Sequence, residues 1–346
     1  MWTDQLQEQV LRLESGRDIS GLQAFLGTQG LTVDKEMEYA VAIVDDGRMV
    51  ATGSFSGRVL KCIAVDDEYK SQGLSARVVT HLVNEEYRRG RTHLFIFTKP
   101  ENKRIFSGLG FHAIAEVPPK IVLLENRRDG VQKYLDNALR ESGEAVPSAA
   151  MVVNCNPFTL GHRYLIEYAA ARCKRLHVFV VREDRSIFPS EIRYRLVQDG
   201  IKHLSNVVLH WGKDYIISDA TFPSYFMKKY EDVAETYAKL DLTLFTRYIA
   251  PSLRIEKRFV GEEPFCEVTR AYNRIMKEML PSCGIEVEEV PRLAAGGVAI
   301  SASRVRELIR KGDMNAVQDL VPETTYTFLM SPGAGELIRR IRGETP

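Results

Sequence analysis

The sequence predicts two α/β domains in series: a mixed α+β domain, then a Rossmann-like parallel sheet that carries a helical insertion. Three observations support that prediction. The chain has 346 residues, more than a single hydrophobic core usually organises. Early on, Asp45-Asp46-Gly47 lies between two apolar runs, a strong hairpin signal for antiparallel strands. From residue 149 onward, short apolar runs alternate with amphipathic helical patterns, as a parallel sheet with helices on both faces requires.

Composition narrows the function classes. With 45% hydrophobic and 27% charged residues the chain is expected to be globular and soluble. A formal net charge of +1 gives no global argument for nucleic acid or an anionic membrane, and neither is expected as a partner. Asp4, Glu8 and Arg12 interrupt the N-terminus, and no apolar run is long enough to cross a bilayer, so a cytoplasmic location is expected. Cys62, Cys155, Cys173, Cys266 and Cys283 are spread without a C-x-x-C, which suits reduced thiols. No metal held by protein ligands is expected.

In chain order, residues 39–44 and 48–54 read as the hairpin strands and 59–65 as a third. A polar turn over 66–75 leads into a helix over 76–88, and 94–98 and 121–125 read as further strands. The strand, loop and helix start around Lys70-Ser71-Gln72-Gly73-Leu74-Ser75 suit a pyrophosphate held on backbone amides. That loop resembles the acetyl-CoA motif of the GCN5-related N-acetyltransferases, Arg/Gln-x-x-Gly-x-Gly/Ala, and Phe106-Ser107-Gly108-Leu109-Gly110-Phe111 resembles the Gly-Phe ending of the same fold. The resemblance implies an acetyltransferase-like domain over 1–127 whose loop residues 70–75 bind a CoA-like group. Lys70 and Ser75 depart from the family pattern, so binding is expected ahead of acetyl transfer. Glu68, Glu85 and Tyr87 read as solvated side chains.

Residues 128–147 read as a linker with a helix over 131–139, and the second domain spans 148–346. Met151-Val152-Val153 reads as a strand buried on both faces, broken by Asn154-Cys155-Asn156-Pro157. Leu165, Ile166, Ala169, Ala170 and Cys173 recur at helical spacing behind Thr159-Leu160-Gly161-His162. The helix start offers free amides and a positive dipole end, an anion site where Gly161 is expected to admit a phosphate and Thr159 and His162 to flank it. Helix capping by Thr159 and His162 explains the same four residues equally well. Cys155 is expected as a buried strand-end residue.

Further on, strands are expected over 176–181, 207–209, 256–260 and 285–290, and helices over 190–204 and 268–280. The aromatic-rich stretch 222–249 reads as one or two inserted helices. Arg182, Arg185, Arg193 and Arg195 crowd the mouth of the sheet, and Gly261-Glu262-Glu263 ends a strand at a nucleotide edge or a metal-linked site, with exposed carboxylates as the plainer reading. After Gly296-Gly297 comes Ile300-Ser301-Ala302-Ser303-Arg304-Val305-Arg306, a serine-capped helix start rich in arginine.

The first of these motifs resembles the H-x-G-H signature of nucleotidyltransferases, with Thr159 in place of the first His, and the second resembles their Ile-Ser-Ser-Thr/Ser-x-x-Arg/Lys signature. They stand about 140 residues apart, a distance that accommodates the helical insertion. With the acetyltransferase-like domain in front, nearly the whole chain resembles the citrate lyase ligases. The resemblance implies acetate, ATP and the citrate lyase acyl carrier subunit as substrates. Its thiol, on phosphoribosyl-dephospho-CoA, is acetylated through an acetyl-adenylate with release of AMP and pyrophosphate. Mg²⁺ is implied mainly through the triphosphate. His162, Thr159 and Arg306 would carry catalysis; Asn154, Cys155, Asn156, Pro157, Gly161, Gly261, Glu262, Ser301, Ser303 and Arg185 or Arg193 would hold the nucleotide. Two other readings share these signals: an adenylyltransferase acting on a phosphopantetheine-type substrate, and a non-catalytic CoA- or nucleotide-sensing protein that docks a carrier.

Overall fold

A computed structural model describes residues 6–34, 36–144, 146–182, 186–216, 230–264, 266–295 and 298–343. They group into two compact units: one runs to Gln132 and takes in residues 230–240, and the other holds the rest. Among the described residues no helix is long and apolar enough to cross a membrane.

The first unit has seven strands, β1 Gln7–Val10, β2 Tyr39–Asp45, β3 Arg48–Ser56, β4 Val59–Val65, β5 Phe95–Thr98, β6 His112–Val117 and β7 Ile121–Glu125, in the order β1-β2-β3-β4-β5-β7-β6. Only β4 and β5 run parallel, and they pair just at Val59 opposite Phe95 and Leu60 opposite Ile96. Beyond those positions their carboxyl ends no longer pair, while β5 stays bonded to β7 along its length. Period-two alternation splits β2 between two cores. Ala40 and Ala42 pack with Leu22, Phe25 and Leu26 of α1 Gly16–Thr28, and Val41 and Ile43 with Val78, Val79 and Leu82 of α2 Leu74–Arg88. At Gly53 on β3 the helix comes closest, since a Cβ there would meet Val78 Cγ1 at 2.5 Å. The short helix α3 Lys103–Gly108 follows β5.

The second unit is built on five parallel strands, β8 Ser148–Val153, β9 Leu176–Val180, β10 Val207–Trp211, β11 Ile255–Gly261 and β12 Glu286–Val290, in the order β10-β9-β8-β11-β12. The chain steps outward from β8 to β10, then returns to start β11 on the other side of β8. Doubly wound sheets bind ligands at such a reversal, at the carboxyl ends of the strands. Central β8 needs no polar face, and Ala149, Ala150, Met151 and Val153 are all buried. The helices here include α4 Gly130–Ser142 from Lys133 onward, α5 Leu160–Ala170, α6 Ser190–Ile201 and, from Asp241, the end of α7 Tyr230–Leu244, which runs on into a π-helical turn, Phe245–Ile249.

From Lys133 onward α4 is held to the edge of this sheet by polar bonds. Tyr134 donates to the Trp211 carbonyl at 3.2 Å, and Glu141 accepts from His210 Nδ1 at 2.8 Å. His210 Nε2 then accepts from His177 Nδ1 at 2.9 Å, in a place where both imidazoles are buried.

Candidate functional site

β8 ends at Val153 and the chain turns sharply, with Cys155 at φ 55° and a cis bond between Asn156 and Pro157, before α5 starts at Leu160. Thr159 is the N-cap, its hydroxyl accepting from the His162 amide at 3.4 Å. His162 reciprocates: its Nδ1 accepts from the Thr159 amide at 3.1 Å and lies 2.9 Å from the Thr159 hydroxyl. This is a capping box with histidine where glutamate is usual. An imidazole whose Nδ1 accepts an amide bond carries its own proton on Nε2. Burial holds the His162 pKa down at about 4, and the Arg292 guanidinium pushes the same way. At neutral pH the ring is therefore uncharged and offers Nε2–H as a donor. Thr159, expected beside the phosphates, is instead buried and commits its hydroxyl to the cap.

A second correction concerns Arg193, expected at the triphosphate. It is fully buried and braces the turn from beneath. Its Nη1 donates to the Asn154 and Val181 carbonyls at 2.7 and 2.8 Å and to Asn154 Oδ1 at 2.8 Å, and its Nε donates to the Phe188 carbonyl at 3.0 Å. A rigid planar fork suits that work, because one side chain fixes three backbone carbonyls at once. Asn156 Oδ1 adds a bond from the Phe188 amide at 3.0 Å. Cys155 is fully buried, and burial pushes its thiol pKa far up, which disqualifies it as a nucleophile. Arg185, Gly296, Gly297 and the first part of the 222–249 insertion lie outside the described residues.

The second signature meets this turn directly. Ser301 caps the helix Ala302–Lys311, accepting from the Arg304 amide at 3.2 Å. Arg306 donates to the Asn156 carbonyl through Nη1 and to the Ser303 hydroxyl through Nη2 at 3.1 Å. Gly161 shows what brings the two signatures together, since a Cβ there would lie 2.9 Å from the Ile300 carbonyl oxygen. The room expected over Gly161 for a phosphate is thus filled by that carbonyl, and the missing side chain allows two loops to touch. Two helix N-termini and the Arg306 guanidinium meet at the carboxyl end of β8, with His162 in the first turn of one of those helices. Such a convergence favours anions.

With this geometry in view, sequence comparisons decide the family. A family model described as the citrate lyase ligase C-terminal domain matches residues 148–329. The citrate (pro-3S)-lyase ligase of Klebsiella pneumoniae is 43% identical over 321 residues, spanning 91% of this chain and 93% of that protein. The chain belongs to the citrate lyase ligase family. Citrate lyase ligases of Escherichia coli and Haemophilus influenzae are 38% and 41% identical and cover 96% and 92% of this chain, and 95% and 96% of their own lengths. Among solved structures, an acyl-CoA N-acyltransferase from Pseudomonas aeruginosa aligns with 35% of this chain and 99% of its own, at 12% identity and a TM-score of 0.31.

In this citrate lyase ligase family member, the end of β11 is tied to β12 by a residue not singled out from the sequence. Arg292 donates from Nε to the Glu262 carbonyl at 2.7 Å and forms an ion pair with Glu263. The next residue, Leu293, accepts from the Ile300 amide at 3.0 Å, which brings this clasp to the Gly161 contact. The signal was available in the sequence: a basic residue just past the last parallel strand. Gly261 accepts from Asn273 Nδ2 at 3.1 Å, and the Glu262 side chain is exposed. Among the described residues no three His, Cys, Asp or Glu side chains gather as a metal site.

In the first unit, Ser71 at φ 67° and Gly73 at φ 78° turn the loop into α2, and Gly73 caps that helix without any side-chain bond. The amides of its first turn are left to a ligand or to water. Lys70 pairs with Asp67 at 2.5 Å, Gln72 reaches the Glu68 carbonyl at 3.5 Å, and the Leu74 side chain belongs to the core. Of these loop residues Leu74 has only its backbone to offer a ligand.

Proposed function

We propose that the chain activates citrate lyase by acetylating, at the expense of ATP, the prosthetic-group thiol of its acyl carrier subunit. The supporting observation, beside the family, is the neutral His162, its Nε2–H freed by the capping box of the helix that follows the turn where Arg306 holds the Asn156 carbonyl. In the first step an acetate oxygen attacks the α-phosphorus in line, the bond to the bridging oxygen breaks, and pyrophosphate leaves with the electron pair. The product held on the protein is acetyl-adenylate. In the second, the carrier thiolate attacks the acetyl carbon, a C–S bond forms, and the C–O bond to AMP breaks. The thiol proton passes to solvent.

Charge grows on the phosphate oxygens during the first step, and fixed donors stabilise it without reorganising. His162 donates from Nε2 to the phosphate under attack. Arg306, Ser301 and Ser303 serve the departing phosphates, and Mg²⁺ travels mainly on the triphosphate. Asn154, Asn156, Pro157, Gly261 and Glu262 shape the nucleotide's bed. In the first unit the loop 70–75 takes the CoA-like arm on its backbone amides.

ATP–pyrophosphate exchange in the purified protein tests the reading. Acetate is expected to drive exchange. Exchange driven by phosphopantetheine alone would move the chain to dinucleotide synthesis and remove the ligase reading.

A further inference from the structure

Two helices near the end of the chain carry a set of arginines that the mechanism does not use. Ala302–Lys311 and Gly335–Arg342 belong to one core through Val305, Ile309, Leu337 and Ile341, all buried. Each last turn lends a guanidinium to the other helix: Arg310 Nε donates to the Ile341 carbonyl and Arg342 Nε to the Ile309 carbonyl, both at 3.3 Å. Capping of two negative dipole ends accounts for this pair. Arg339 and Arg340 lie in the same last turn and face the same dipole end, but no bond to a carbonyl holds their guanidiniums among the described residues. Both are exposed, and neither pairs with a carboxylate among the described residues.

Their placement matters. Arg306 and Arg310 lie one turn apart on the Ala302–Lys311 helix, and burial first, then the Arg310 charge, lowers the pKa of Arg306. Guanidiniums thus run from the Asn156 carbonyl, through Arg306 and Arg310, to the Ile341 and Ile309 carbonyls, and Arg339 and Arg340 stand exposed in the same helical turn as Arg342. The charge of Lys311 is matched by Glu307 at 2.6 Å, and Glu336 is the one carboxylate on the last helix. Like charges so concentrated repel one another unless an anionic partner covers them.

We infer that this two-helix arginine face docks an acidic surface of the protein that brings the thiol, an inference that rests on the reading above. Exposed guanidiniums make charge-assisted bonds to carboxylates, and a field of one sign speeds the encounter and screens with salt. A partner seated here lies beside the helix whose Arg306 reaches the candidate site, where the thiol must arrive.

The test is binding of the fluorescently labelled acyl carrier subunit, with its prosthetic group, to the full chain and to an Arg339→Glu, Arg340→Glu double variant. The double variant is expected to bind about tenfold more weakly or worse, and wild-type binding to weaken as salt rises. Acetate-driven ATP–pyrophosphate exchange is expected to be unchanged, because neither arginine touches the candidate site. Arg270→Glu, on the exposed surface of the helix Glu267–Met279, controls for net charge. Equal affinity in the double variant, equal loss in the control, or no carrier binding by the wild type overturns the docking surface. Exchange on the same preparations reports separately on adenylation, so the two readings can fail independently.

Discussion

His162 serves the helix with one nitrogen and leaves the other for chemistry. Nδ1 takes the Thr159 amide, so the proton stands on Nε2, and burial keeps the ring neutral down to about pH 4. His162→Ala is expected to lower acetate-driven exchange by about two to three orders of magnitude, as loss of a preorganised donor does elsewhere. The lost cap should cost about 1 kcal/mol of stability, leaving a folded protein by circular dichroism. Wild-type exchange from that folded variant would take His162 out of the site. The four residues T-x-G-H were legible as either a cap or a phosphate site, and both uses converge on this histidine, whereas Thr159 serves only the cap. Which nitrogen is free was not legible, because the tautomer follows from a hydrogen bond and not from residue order. Arg193 makes the same point from the other side: a sequence shows an arginine near a strand end, but not that it points inward to three carbonyls.

Among the elements, α4 meets β9 and β10 through the exposed carboxylate of Glu141 and the buried imidazoles of His210 and His177. Burial first, then His210 and Arg175, depress the His177 pKa to about 3, and burial also lowers that of His210. The fold thus refuses protons that the unfolded chain accepts below about pH 6.5. The stability that His177 contributes is complete above that value and drains away as pH falls towards about 3, with a limiting slope near 1.4 kcal/mol per pH unit. The thermal midpoint should drop between pH 7 and pH 5, and more gently in a His177→Gln variant. Equal slopes in the two proteins would show that the buried pair does not govern acid sensitivity. Most elements followed from apolar periodicity, β4 and β7 with the bounds expected. α1 lies outside the expected elements, although Ser15 caps it at Asp18 and Leu22, Phe25 and Leu26 carry its helical spacing. The last three helices, Met314–Gln318, Glu323–Leu329 and Gly335–Arg342, have five to eight residues each, too few turns for periodicity to stand out.

For the molecule as a whole, the proposal divides the work, with adenylation in the second unit and the CoA-like arm in the first. Gly73 tests that division, since its φ of 78° strains any other residue although space around it is open. Gly73→Asp also sets a carboxylate at the amides of α2, and a several-fold to tenfold loss of carrier affinity is expected, about 1 kcal/mol from each effect at most. Exchange should stay at the wild-type rate. Unchanged carrier affinity in a folded variant would remove the first unit from binding. By itself the sequence determined the strands, the capped helices and the two signatures, because periodicity, caps and turn residues act over a few positions along the chain. Tertiary structure alone decided which of the signature side chains stay available to a ligand. Thr159 and Arg193 are spent on backbone groups, Gly161 lies under the Ile300 carbonyl, and Arg306 reaches Asn156 from 150 residues away. Contacts at that separation depend on how the sheet closes its core, and no local pattern of residues encodes them.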